Sequence, residues 1–583
     1  MNAWLRRLGV WSWAVEIRDA IRRCIVPSHR REERVRRRQL WEFVRSYASS
    51  LRQPLGTTTP GAERVLIGSV GFIEGVPIEL ALVKGFEAAG YEPTIVASDD
   101  PWMRRYYRAA GIRRVGRWRG RQAPVTVAQA MAALERVTSF EALLALTWEG
   151  IRVGRFTAST ALRRLRVGSL EVETWEGRRR LAPFLAEAMT AAAAAQRLIQ
   201  RLHPALVLLV DKGYTPQGQL FDACLSAGIP VLTWNIGHRS NSVVFKRYRR
   251  ENRDDHPISL SASSWDRLRC MPWTDTHRAR LHRELRDGYA SGEWYSEVGT
   301  QFNTRLMEPD ELRRRLGLDP AKKTAVIFPH ILWDGTFFFG RDLFRSYEEW
   351  FVETVRAACA NDRVNWVIKI HPANLVKNAR DGVIGEPAEV AAVRRALGPL
   401  PKHLALIPAD SDISTFSLFG LMDACVTVRG TVGLEAASFG IPVLTAGTGR
   451  YDRRGFTVDA ETREEFLRLL GRIEELPPLS DEQRTLAERF AYGIFVLRPL
   501  PLVSVTFHNE RDRTASLRTR IHPMTQADWL NAPDLSALAR WVCESNEADW
   551  LMSSEGLAEL SPEPLAALAA TGRVAEPQEK PCS

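Results

Sequence analysis

The sequence predicts an α/β chain. Two doubly wound, Rossmann-type units with parallel sheets face each other across a cleft, behind a basic helical N-terminal extension. Three observations point there. Strand-like runs alternate with helical patterns over two long stretches, as in βαβ units. Several of those runs, above all Ala205–Val210, are almost wholly apolar, as strands buried on both faces are. The 583 residues are 45% hydrophobic and 26% charged, a globular composition long enough for several cores.

Taken in order, residues 1–50 form a basic segment. Residues 1–45 hold twelve arginines and five acids, so they carry +7 of the chain's +11. Trp4, Leu8, Trp11 and Val15 fall at helical spacing among them. That pattern fits a solvated basic helix packed on the main body, or an amphipathic segment lying on an anionic membrane surface. The Pro/Gly/Thr-rich stretch 51–62 reads as a linker. The first unit spans 60–262, with strands at Val65–Val70, Thr94–Val96, Ala205–Val210 and Ile229–Thr233 and a mostly helical stretch at 124–200. Residues 263–310 are a connector with some helix. The second unit spans 311–478, with strands at Thr324–Phe328, Trp366–Ile370, Leu404–Ile407, Ala424–Val428 and Pro442–Leu444. Residues 479–583 are a helical extension ending in a loose tail from Pro562.

Composition excludes several function classes. The seven cysteines have no CxxC spacing, which argues against a zinc cluster or a disulfide framework and for reduced thiols. No apolar run approaches the ~20 residues of a membrane span, and the N-terminus is a poor signal peptide. The expectation is a cytoplasmic protein, peripheral on the inner face of the plasma membrane if the basic segment docks there. A pI near 9.5 favours anionic partners. Nucleic acid is not among the expected ones: outside residues 1–45 the balance is 11 − 7 = +4, with no zinc-finger spacing and no aromatic RNA-binding signature.

Ligands of doubly wound sheets bind beyond the carboxyl ends of the strands, so those ends supply the candidate residues. Val426–Pro442 runs from a strand through a glycine turn into a helix. There Gly430, Thr431 and Val432 offer backbone N–H groups and a hydroxyl to a phosphate, Gly433 adds room for backbone approach, and Glu435 offers a carboxylate to a ribose. An ordinary βα turn with a Thr cap and a surface Glu has the same spacing. Lys369-Ile370-His371-Pro372 puts a lysine and a histidine at a second strand end, for phosphate binding or proton transfer, or as a structural histidine. His330 and Asp334 follow a third strand. In the first unit Asn235, His238 and Arg239 are the candidate acceptor contacts. Asp211 and Glu74 are candidate general bases, with Asp334 as a third catalytic carboxylate.

The segments Ile368–Pro372, Thr431–Ala436, Phe439–Val443 and Gly449–Thr457 resemble the capsule polysaccharide biosynthesis family of bacterial glycosyltransferases. That family includes Kdo transferases and carries an HP motif like that of bacterial sialyltransferases. The resemblance covers about 320–500 well and the first unit loosely. It implies a two-domain GT-B architecture. It further implies that His371 and the Gly430–Thr431 turn hold the donor's phosphate, that Glu435 lies near the nucleotide, and that the enzyme works without a metal. The family often has a serine where this chain has Gly430 or Thr431, and it transfers no catalytic base.

The expected function is transfer of a sugar from a nucleotide-sugar donor, CMP-linked being one candidate, to a surface polysaccharide or lipid-linked acceptor, with no cofactor beyond the donor. Alternatives on the same architecture are a nucleotide-sugar epimerase, a polyol-phosphate transferase, or a non-catalytic polysaccharide assembly or export factor.

Overall fold

The computed structural model describes residues 27–55, 62–69, 71, 75–97, 101–119, 123–239, 241–292, 294–295, 304–335, 337–380, 385–507 and 519–552. The Trp4/Leu8/Trp11/Val15 stripe, Glu74 and the tail from Pro562 lie outside the described residues.

Two sheets organise the chain. The first contains β1 (Arg64–Gly68), β2 (Glu92–Ala97), β3 (Val115–Arg117), β4 (Leu206–Leu209), β5 (Val231–Ile236) and β6 (Ser242–Tyr248). The second contains β7 (Thr324–Ile327), β8 (Asn365–Lys369), β9 (Leu404–Ile407), β10 (Ala424–Thr427), β11 (Val443–Thr445) and β12 (Val458–Asp459). A short strand, β13 (Leu500–Pro501), completes the first sheet at its β6 edge.

The spatial orders are β13-β6-β5-β4-β1-β2-β3 and β12-β11-β10-β7-β8-β9. Within each sheet the first strand in sequence lies mid-sheet, with its second and third strands on one side and the fourth onward on the other. That is the doubly wound order, and its direction reverses between β1 and β4 and between β7 and β10. All second-sheet pairings are parallel, and so are those joining β1 to β5. Among the described strands of these two sheets, only β6 and β13 run antiparallel to their neighbours. The expected α/β class, with two parallel-sheet units, is what the chain adopts.

The central strands are apolar because both faces are covered. Residues 206–209 are buried throughout, under the helices Trp175–Leu202 and Gln217–Ser226 on one side and Gly75–Ala88 on the other. The antiparallel β6 has no counterpart among the expected strands, because Lys246 and Arg247 disguise it. Both are buried. Lys246 Nζ meets Asp549 Oδ1 at 2.8 Å and Ser259 Oγ at 3.2 Å, and Arg247 donates to the Trp541 and Val542 carbonyls at 3.0 and 3.1 Å. Buried cations persist where such partners exist.

Those partners come from the far end of the chain. After the helix Asp481–Tyr492 the chain returns to the first unit. β13 joins its sheet, and Trp529, Leu535, Leu538 and Trp541 share a core with Leu80, Val83 and Phe86.

The segment after β7 joins the two units. Ile331, Trp333, Phe337 and Phe338 belong to the hydrophobic cluster built around the first unit's helices. Phe337 lies 5.3 Å from Phe140, and Phe338 lies 6.1 Å from Phe156 and 5.6 Å from Tyr214. Phe338→Ala is expected to cost about 3 kcal/mol, as truncation of a buried aromatic does. Because the ring is shared by both units, the variant should also separate one unfolding transition into two in a denaturant titration.

Candidate functional site

The second sheet brings His330, Gly430, Thr431 and Val432 together at the switch point between β7 and β10, with His371 near enough for its charge to reach His330. β10 ends at Thr427, and Gly430 caps the helix Thr431–Ser438 in an extended conformation, with no side-chain cap. The N–H groups of Thr431 and Val432 have no hydrogen-bond partner among the described residues, so this helix start can receive an anion. At Gly430 an added Cβ would stand 3.0 Å from Thr427 Oγ1, 3.4 Å from Val432 Cγ1 and 4.0 Å from His330 Cε1, so protein fills that side of the turn.

His330 follows β7. Its Nε2 accepts from the Arg429 N–H at 3.3 Å, and its ring stacks on Tyr347 at 4.7 Å. Burial, then Arg429 and His371, hold its pKa well below the ordinary imidazole value. It is therefore neutral near pH 7, and with Nε2 accepting, its proton sits on Nδ1.

His371 follows β8. Its Nδ1 accepts from the Ala373 N–H at 3.1 Å, so the neutral ring carries its proton on Nε2. The residue is exposed to water. Burial and the Lys377 charge bring its pKa down to about 4. At rest it is a neutral donor, not the imidazolium that phosphate binding would use. Lys369 is buried and its ammonium has no bonded partner among the described residues. Burial lowers its pKa to about 8 against the pull of Asp412 and Asp410.

Two arginines complete the turn. Arg429, 2% exposed, pairs with Asp342, while its Nε and Nη1 are buried without partners. Arg450 donates to the Arg429 carbonyl at 3.1 Å. It also meets the Tyr295 hydroxyl, which reaches Thr431 as well.

Glu435 is placed differently from its expected role. It is 1% exposed, beneath the helix, and accepts from the Tyr289 hydroxyl at 2.6 Å. Burial raises its pKa to about 7, so it presents no open carboxylate to a ribose in this arrangement. Gly433 likewise makes room for protein, since an added Cβ would stand 2.2 Å from the Tyr451 hydroxyl.

Asp334 lies where the units meet. Its Oδ1 accepts from Tyr214 at 2.8 Å and faces Arg163 at 3.3 Å, both from the first unit. Its Oδ2 pairs with Lys377 of the second. Burial would raise its pKa, but Lys377 and Arg163 hold it well below the carboxylate range. A carboxylate so fully engaged is a poor base and a good tie. Asp211, at the end of β4, is close enough for Arg163 and Asp334 to act on its charge. Its Oδ1 accepts from the Gly213 N–H at 2.7 Å, and burial raises its pKa. Gln217 fixes its backbone, accepting from Asp211 N at 2.7 Å and donating to the Gly68 carbonyl at 2.6 Å. Of the described candidate bases, Asp211 has its pKa raised and Asp334 has its lowered.

The candidate acceptor residues are spent inside the fold. His238 is buried, with Nε2 3.0 Å from Glu284 Oε1 and its ring 4.7 Å from Trp294. Arg239 engages both Glu284 oxygens. Against the effect of burial, these partners hold Glu284 at about 2. Asn235 donates to the Val210 carbonyl at 3.1 Å. The His238 ring packs on Trp294, and Tyr295 N donates to the His238 carbonyl at 3.0 Å.

Sequence reasoning did not assign Arg163, Tyr214, Tyr295, Lys377, Arg429 or Arg450 to the site. Arg429 and Arg450 lie inside the motifs it weighed; the others carry no local signal. Among the described residues no three His, Cys, Asp or Glu side chains group as a metal site.

No known protein family matches the sequence, and no curated protein does. Solved structures do align. KpsC of Thermosulfurimonas dismutans, a beta Kdo 2,4 transferase, is 15% identical, with a TM-score of 0.32, over 51% of this chain and 82% of its own. The beta Kdo 2,7 transferase of the same KpsC gives 16%, 0.30, 53% and 82%. The UDP-GlcNAc 2-epimerase of Neisseria meningitidis bound to UDP-GlcNAc gives 12%, 0.25, 74% and 95%. Likenesses this distant carry no argument about chemistry.

Asp334→Asn should leave Lys377 and Arg163 without their counter-charge and cost about 3 kcal/mol, as breaking a largely buried pair does. Because the Asp334 pKa is depressed, its contribution is present above the ordinary carboxylate pKa and fades as pH falls below it. Denaturant midpoints of parent and variant should therefore differ at pH 7 and converge toward pH 2.

Proposed function

We propose that this chain is a glycosyltransferase that takes its sugar from a nucleotide-sugar donor and passes it to a glycan or lipid-linked acceptor. One observation carries the reading: the switch-point turn Arg429–Val432. Two N–H groups without partners among the described residues lie at its helix start, with Arg450 on the Arg429 carbonyl, His330 on the Arg429 N–H, and His371 near enough to His330 for its charge to act there. Fixed donors of this kind stabilise charge as it develops on a departing phosphate, at no reorganisation cost during the reaction.

In this reading the donor's phosphates lie on the turn, with the His371 Nε2–H donating to a phosphate oxygen. The sugar projects toward the β1/β4 switch point of the first sheet. Asp211, its pKa raised by burial, takes the proton of the attacking acceptor hydroxyl. The bond from the sugar to the phosphate breaks, and the nucleotide leaves with its charge met by Arg429 and Arg450. Asp334 holds the two units at the spacing the transfer needs.

Calorimetric titration tests the donor half. His371→Ala should weaken CMP or UDP binding about tenfold, the worth of one hydrogen bond to a charged group, and leave the free nucleoside unaffected. Nucleotide binding equal to the parent's would make the histidine structural.

Kinetics test the acceptor half. Asp211→Asn should keep nucleotide affinity and lower the transfer rate by about a hundredfold or more. In the parent, the rate should fall as pH drops through the raised Asp211 pKa, and that acidic limb should disappear in the variant. Failure of every nucleotide to bind would favour a glycan-binding assembly factor instead.

A further inference from the structure

Residues 101–119 contain seven arginines and no acid. They form the helix Pro101–Ala109 and the edge strand β3. The helix is amphipathic in an uneven way. Met103, Tyr106 and Tyr107 are buried, while Trp102, Arg105 and Arg108, three residues apart, share the exposed face. Arg113 and Arg117 are exposed beyond it. Arg105, Arg108, Arg113 and Arg117 make no ion pair among the described residues.

The helix Pro27–Leu51 extends this surface. The Tyr106 hydroxyl donates to the Arg37 carbonyl at 3.1 Å, and Trp41 packs edge-on to Tyr106 at 4.8 Å. The exposed Trp102 ring lies between two guanidiniums, Arg37 at 5.3 Å and Arg105 at 5.1 Å. Val35 and Arg38 are exposed on the same helix.

We propose that this face docks on an anionic lipid surface, with the arginines on headgroup phosphates and Trp102 at the boundary with the acyl chains. Charge complementarity selects an anionic partner. The indole held between guanidiniums selects a membrane over a soluble polyanion, because aromatic rings at an interface have one apolar and one polar environment to satisfy. The face lies at the β3 edge of the first sheet, where the buried Trp118 ties β3 to the end of β1 by donating from Nε1 to the carbonyl of Ser69 at 2.8 Å. The proposal does not depend on the chemistry assigned to the donor turn.

The test is co-sedimentation of the full chain with phosphatidylcholine vesicles, with and without phosphatidylglycerol, at physiological salt. The parent should bind only the phosphatidylglycerol vesicles. Combined Arg105→Glu, Arg108→Glu and Arg113→Glu substitutions, all at exposed positions, should weaken that binding roughly hundredfold, at about fivefold per arginine. Trp102→Ala should weaken vesicle binding and leave binding to dextran sulfate unchanged. Circular dichroism and thermal unfolding of each variant check that the fold is kept. Vesicle binding by the triple variant equal to the parent's would overturn the proposal. So would a Trp102→Ala variant that loses neither vesicle nor dextran sulfate binding, which would mark the face as a site for a soluble polyanion.

Discussion

The spacing of the two units depends on one carboxylate. Asp334 takes a hydroxyl and a guanidinium from the first unit and an ammonium from the second. Around it the aromatic segment Phe337–Phe338 sits in the first unit's core, and two backbone bonds close the far side. These are Gly340 N to the Asp254 carbonyl and His256 N to the Gly449 carbonyl, each at 3.0 Å. The apolar contacts supply most of the adhesion, which is non-directional. The ion cluster supplies register, because Asp334 has acceptor sites for all three partners only when both units are correctly placed.

Register matters because each candidate site is half of a pair. The donors of the β10 turn come from one sheet, and Asp211 comes from the other. Each half stands at its own sheet's switch point, where the diverging connections leave a crevice. Ionised Asp334 disfavours a second negative charge beside it, while Arg163 favours one, and burial, the largest effect, leaves the Asp211 pKa above the ordinary carboxylate value.

The parallel strands were legible in the sequence because burial on both faces leaves uninterrupted apolar runs. β6 was not, because its cations are matched by Asp549, some 300 positions away, and no local pattern encodes that. The site divides the same way. His330, His371, Gly430, Asp211 and Asp334 follow strands, so topology alone brings them to the cleft. Their partners Arg163, Tyr214 and Lys377 lie on helices and loops whose sequences look like ordinary surface. His238 misleads for a related reason: it ends a strand as a site residue should, but Glu284 and Trp294 from the connector enclose it. Glu435 is the mirror case, a polar residue at exposed-looking spacing that Tyr289 draws inward.

The charge state of the turn follows from what surrounds it. Burial, then Arg429 and His371, lowers the His330 pKa, and burial, then Lys377, lowers that of His371. A phosphate entering the turn would reverse that balance. Its negative charge favours imidazolium, so the histidine pKa values should rise on binding and the site should take up a proton with its ligand. Without that negative charge, burial and the neighbouring cations favour the neutral rings. A site built from lysines alone would carry its full charge at rest, and the neutral rings let this one gain positive charge only when an anion is present to meet it.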